Sequence, residues 1–246
     1  MKSIERHKLK ENEFAHTIAK ARDVVEARQR DIGLIVTVVV LALVILGGYA
    51  WWRQSRNAKA DAALAAALAT YEAPVVPVAA PAPGSPVPVA QPGTFQTEQA
   101  KLDAALPKFT AAADQFPNTD AGIAARYHAA GILASLGRYA EAEQRYQEVI
   151  DKAGRGIYGR TAKLGMADAQ VAQGKFDPAI KTYQELTTDS SSQLPVDGLL
   201  MQLGRACAKA GKSDEAARAF NRVIQEFPQS VYAADARREL ESVKKS

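Results

Sequence analysis

The run Gly154-Arg155-Gly156-Ile157-Tyr158-Gly159 is the stretch of this sequence that most invites a chemical reading. Glycines at that spacing let a backbone approach a pyrophosphate where a buried strand turns into a helix, with an acidic residue about 20 positions on to hold a ribose. Neither condition is met. An amphipathic helical pattern precedes the run, and position 179 is Ala. The glycines therefore read as a loop between helices. Histidine chemistry is equally sparse. His7 and His16 lie in the N-terminal tail, and His128 follows Tyr127 with no second His or carboxylate spaced as a metal ligand. A packed or surface ring is the expectation for His128. Cys207 is the single cysteine, so neither an intrachain disulfide nor a Cys-based zinc site can be built. No Ser-His-Asp set and no His-Glu-x-x-His motif occurs. The expectation is no catalytic residue, no metal and no cofactor.

What remains is a scaffold to be identified from its elements. The 246 residues carry 31 basic and 27 acidic side chains, a net charge of +4. That balance gives no basis for a nucleic-acid partner. The chain is 47% hydrophobic but only 7% aromatic and rich in Ala, which suits close-packed helices better than a β-sandwich. Charged residues at 24% match a globular protein, which excludes wholesale disorder.

Residues Ile32–Trp52 contain no charge and end in Tyr49, Trp51 and Trp52. Twenty-one residues at about 1.5 Å each span the roughly 30 Å of a bilayer core. A signal peptide has a shorter apolar run and small residues at its cleavage point, whereas Trp-Trp-Arg follows here. The expectation is an uncleaved membrane helix. Eight Lys or Arg precede it within residues 1–31, against Arg53, Arg56 and Lys59 after it. The bias places the N-terminus in the cytoplasm and the rest outside, with the inverted arrangement as the alternative. In the tail, Phe14, Ile18, Ala21 and Val25 share one helical face, read as an amphipathic helix or a continuation of the membrane helix. Beyond the membrane, residues 73–92 hold seven of the twelve prolines, an extended spacer no helix can cross. Helical patterns flank it, and Pro107 threatens to kink or split the second. The organisation expected is a charged tail (1–31), a membrane helix (32–52), a juxtamembrane helix forming half of an interrupted hairpin (53–72), a Pro-rich insertion (73–95) and a repeat domain (96–246).

The repeats set the architecture. Leu136–Ile150, Gln173–Thr187 and Ala210–Ile224 align without gaps at a spacing of 37. Gly137, Gly174 and Gly211 each end the first helix of a pair, where a left-handed backbone favours glycine. Ala142, Ala179 and Ala216 let paired helices approach, and Tyr146, Tyr183 and Phe220 fill the space one turn on. Asp177-Pro178 and Ser213 are expected to start the second helices as caps, and Ser230 to cap a final polar helix.

This Gly, Ala, Tyr/Phe register resembles the tetratricopeptide repeat (TPR), helped by Leu203-Gly204 and Pro228 in the last repeat. It departs from that pattern in having Arg126, Lys163 or Leu200 where an early aromatic is expected, and in its longer period. The resemblance implies an all-α helical-hairpin solenoid after one membrane helix. It also implies a protein-binding groove lined by first helices, with Tyr127, Leu164 and Met201 in one row and Gly131, Asp168 and Arg205 in the next. The Lys and Asn clamp of the chaperone-binding members is absent. The layout as a whole is similar to the ancillary subunit of the bacterial Sec translocon. That likeness implies a non-enzymatic adaptor in the inner membrane, with its array in the periplasm and periplasmic chaperones among its protein partners. A scaffold for another envelope assembly or secretion machine, and an enzyme of unknown mechanism, are the alternatives carried forward.

Overall fold

The computed structural model describes residues 29–77, 92–189 and 193–245. The expected tail helix, most of the Pro-rich run and residues 190–192 of one inter-repeat loop lie outside them. The chain falls into two compact units, Met1–Arg56 and Asn57–Ser246.

What is described of the first unit belongs to helix α1 (Gln29–Tyr71), which is long and apolar enough to cross a membrane. From Gly33 to Gln54 its side chains are exposed on every side, with Trp51 at 73%. Thr37 donates its hydroxyl to the Gly33 carbonyl at 2.8 Å, so the polar atom within the apolar stretch is satisfied internally. At the far end Tyr49 packs 6.0 Å from Trp52, and the Arg56 guanidinium lies 5.4 Å from the Trp52 ring.

The second unit is all-α. It comprises Asn57–Tyr71 of α1, then α2 (Glu98–Gln115), α3 (Asp120–Ser135), α4 (Tyr139–Ala153), α5 (Ile157–Ala172), α6 (Phe176–Thr188), α7 (Val196–Lys209), α8 (Ser213–Glu226) and α9 (Ala233–Lys244). From α2 onward each helix packs on the next, and α3 also meets α5. Ala63, Leu64, Ala67 and Leu68 of α1 pack with Leu102, Ala105 and Phe109 of α2, and Lys108 donates to the Thr70 hydroxyl at 2.7 Å. Helix α2 passes through Pro107 without splitting. The ring faces solvent there, so the missing backbone hydrogen bond falls on the wet side. Among the described residues the one β-type pairing is between Val75 and Phe95. The Val76 amide donates to the Phe95 carbonyl at 2.8 Å and the Phe95 amide to Pro74 at 3.0 Å, closing the base of the Pro-rich insertion.

Three turns repeat the same geometry. Gly137, Gly174 and Gly211 have φ of 75°, 76° and 74°. The following amides, on Arg138, Lys175 and Lys212, donate to Leu133, Gln170 and Cys207 across the helix end. This is a Schellman motif, which satisfies carbonyls that the helix leaves open. The same three residues then stand immediately before the next helix. The turn is so short that no separate capping residue fits, which corrects two expectations. Asp177 and Pro178 sit inside the first turn of α6 rather than at its cap, and Asp177 pairs with Lys212 at 2.7 Å. Ser213 is the first residue of α8. Ser230 is not the cap of α9 either: it stands two residues before the cap position, which Tyr232 holds with no side-chain cap bond, and accepts the Tyr232 amide at 3.1 Å.

Ala142, Ala179 and Ala216 are all 0% exposed, and Tyr146, Tyr183 and Phe220 are buried beside them. A Cβ on Gly204 would lie 2.4 Å from Phe220 Cε1, and one on Gly165 would lie 2.4 Å from Tyr146 Cζ. At both positions a ring occupies the space that a side chain would take.

Candidate functional site

The two predicted rows lie on α3, α5 and α7, the first helices of the pairs. Their members have different surroundings. Tyr127 is half-buried in an aromatic cluster, 6.0 Å from Tyr146, 5.7 Å from Tyr158 and 5.8 Å from His128. His128 stacks on Phe109 at 5.1 Å, and burial holds its pKa below the ordinary value against the opposing pull of Glu72. It is a packed, neutral ring. Gly131 faces the Tyr146 hydroxyl.

Met201 is 1% exposed and packs with Ala236 and Leu240 of α9. It is a core residue, which corrects its placement in the groove. The terminal helix covers this part of α7, and Arg205 joins the cover through Glu239, with Nη2 to Oε1 at 2.7 Å. That bond raises the Arg205 pKa.

Leu164 and Asp168 stay open and are brought together. They line a cavity of about 190 Å³ with Pro195, Gly198, Gln202 and Tyr232, between α5 and α7. The buried Tyr183 donates its hydroxyl to Asp168 Oδ1 at 2.6 Å. Water reaches the Asp168 side chain, yet the surrounding walls strip much of its hydration. Desolvation raises its pKa, and the Tyr183 bond offsets this only in part. The Tyr183 phenol is pushed up too, first by burial and then by the neighbouring carboxylate. Among the described residues no Lys or Arg pairs with Asp168.

Two larger cavities offer no reaction chemistry. One of about 260 Å³ touches Cys207, whose thiol burial pushes up to about 11, so it stays protonated. The other, about 280 Å³, has Arg155, Arg160 and Lys163 facing Glu185 and Asp189. No group of three His, Cys, Asp or Glu among the described residues is placed to hold a metal ion.

The glycine-spaced run is also explained. Gly154 has φ of 54°, and a Cβ on Gly159 would lie 2.0 Å from the Gly154 carbonyl oxygen. Gly122, 37 positions earlier, is pinned in the same way, with the Phe116 carbonyl oxygen 1.8 Å from such a Cβ. Both glycines admit a carbonyl at the start of a first helix. Their shared spacing of 37 is visible in the sequence. The Asp168–Tyr183 bond had no such signal.

Residues 30–244 match the family described as the tetratricopeptide repeat-like domain. The chain belongs to that family. Photosystem I assembly protein Ycf3 of Prochlorococcus marinus (strain MIT 9313) is 34% identical over 111 residues, 43% of this chain and 64% of that protein. The chain thus spans just under two thirds of that relative's length. Nearly identical TPR-like repeats from Podosopora anserina superpose with a TM-score of 0.53 at 13% identity, over 60% of this chain and 80% of theirs. A tetratricopeptide repeat protein from Parabacteroides merdae ATCC 43184 gives 0.50 at 18% identity, over 60% and 56%. At those identities the likeness is one of fold. Paired helices around an open face are the architecture of proteins that bind other proteins.

Proposed function

We propose that this chain is a membrane-anchored, non-enzymatic adaptor that presents its repeat array in the periplasm and links the Sec translocon to periplasmic chaperones. One observation carries the proposal. A single family match, residues 30–244, takes in both an apolar helix exposed on all sides and the helical-hairpin array. An apolar helix whose described side chains are exposed on every side is suited to a lipid surrounding. Tethering then raises the local concentration of the array near a membrane partner, so modest affinity suffices. The excess of Lys and Arg before the helix supports the periplasmic side for the array.

The Prochlorococcus relative is named an assembly protein, which favours a second reading, a scaffold for building another envelope complex. Affinity capture in mild detergent after in-cell crosslinking separates the two. Sec channel subunits and chaperones are expected to dominate, whereas recovery of a different envelope machine supports the scaffold. Absence of any recurrent partner sinks both. A C-terminal alkaline phosphatase fusion is expected to be active in cells, and a stable but inactive fusion overturns the periplasmic assignment.

A further inference from the structure

We propose that the cavity beside Asp168 receives a lysine or arginine side chain of a bound peptide, with the peptide's neighbouring apolar residues resting on Leu164 and Tyr232. The inference rests on the protein-binding reading of the array and gives it a chemistry. Tyr183 fixes Asp168 Oδ1 at 2.6 Å, while Oδ2 accepts no hydrogen bond from the described residues. A carboxylate that is positioned, partly stripped of water and reachable is half of an ion pair. The other half is missing among the described residues. Arg205, on the equivalent position of α7, is taken by Glu239 at 2.7 Å, and Lys163 lines the separate cavity with Arg155 and Arg160. Asp197, nearby on α7, accepts the Ser230 hydroxyl at 2.6 Å and the Gly198 amide at 2.9 Å, so each of its oxygens is already engaged within the fold.

The walls define the rest of the ligand. Leu164, Pro195 and Tyr232 offer apolar surface for the methylene stem of a long basic side chain. A volume of about 190 Å³ is below the roughly 300 Å³ at which ordinary metabolite pockets begin. One carboxylate is too few for a hard metal ion, which takes six or more oxygen ligands. The same arrangement repels an acidic peptide, so the pocket discriminates by charge as well as by shape.

The test uses the full chain in mild detergent and two end-blocked, fluorescently labelled peptides of leucine and serine. One carries a single central lysine and the other acetyl-lysine at that place. The lysine peptide is expected to bind about tenfold more tightly, as befits one charge-assisted contact. Asp168→Asn should level the two at the weaker affinity, and Tyr183→Phe should narrow the gap. Equal affinities on the unmodified protein overturn the pocket with no variant needed. So does a lysine preference that survives Asp168→Asn. If the preference is absent while partner capture from cells persists, the pocket is wrong and the adaptor reading stands. If the preference holds but no partner is captured, the pocket stands and the adaptor reading fails.

Discussion

Tyr146 and Tyr183 occupy the same point in successive repeats, 37 residues apart, and both rings are buried between paired helices. Their hydroxyls meet different neighbours. Tyr146 points at Gly131 and makes no hydrogen bond among the described residues, and Tyr183 reaches Asp168, the residue at the equivalent position of the next repeat. In the third repeat the ring is Phe220, with no hydroxyl, and the matching position is Arg205, turned to Glu239 instead. The scaffold keeps the ring and varies the residue above its tip. Packing is shared by all three repeats, and polar chemistry is assigned to one.

The strongest way to break this comparison is to remove a ring. Phe220→Ala should cost about 3–5 kcal/mol, because a fully buried aromatic against Gly204 leaves a cavity that the helix backbone cannot fill. A denaturant midpoint close to wild type would mean the ring does not hold the helices together. A finer cut trims only the hydroxyls. Tyr183→Phe should cost about 1 kcal/mol and Tyr146→Phe less than about 0.5 kcal/mol, since only the former breaks a hydrogen bond. Equal losses in paired urea melts would erase the distinction between the repeats.

The smallest effect is the most specific. The walls raise the Asp168 pKa above its unfolded value, so ionising it opposes folding. That penalty is present above the folded pKa and is gone below the unfolded one, near about 3.9. Asp168→Asn keeps an acceptor for Tyr183 and removes the charge. Its melting temperature should exceed that of wild type at about pH 8, and the difference should fade by about pH 3. A difference that grows on acidification would reverse the direction assigned to this group.

Periodicity made much of the fold legible. Gly137, Gly174 and Gly211, the alanines five residues on and the rings beyond them all stand where a spacing of 37 puts them. Periodicity identifies equivalent positions, however, and says nothing of what covers each one. Met201 shares its register with Tyr127 and Leu164 but lies under α9, the last helix of the array. The helix starts differ from the expected caps for a related reason. Asp177-Pro178 and Ser213 have the chemistry of helix starts, but the Schellman turn hands one helix to the next before they are reached. Its row alone makes Asp168 a groove residue. Its bond to Tyr183 joins residues fifteen apart on neighbouring helices, the same spacing as Gly131 to Tyr146 and Arg205 to Phe220, so the register brings such pairs together but does not mark which of them bonds.

The paired backbone bonds between Pro74–Val76 and Phe95 work as a clasp. They set the separation of the two chain ends that leave and re-enter the array, whatever joins them. Closing a longer excursion costs only about 0.6 kcal/mol per doubling of its length. The proline-rich stretch is in that sense a cassette, which evolution or an engineer can exchange for a tag or a second recognition module without rephasing a single helix.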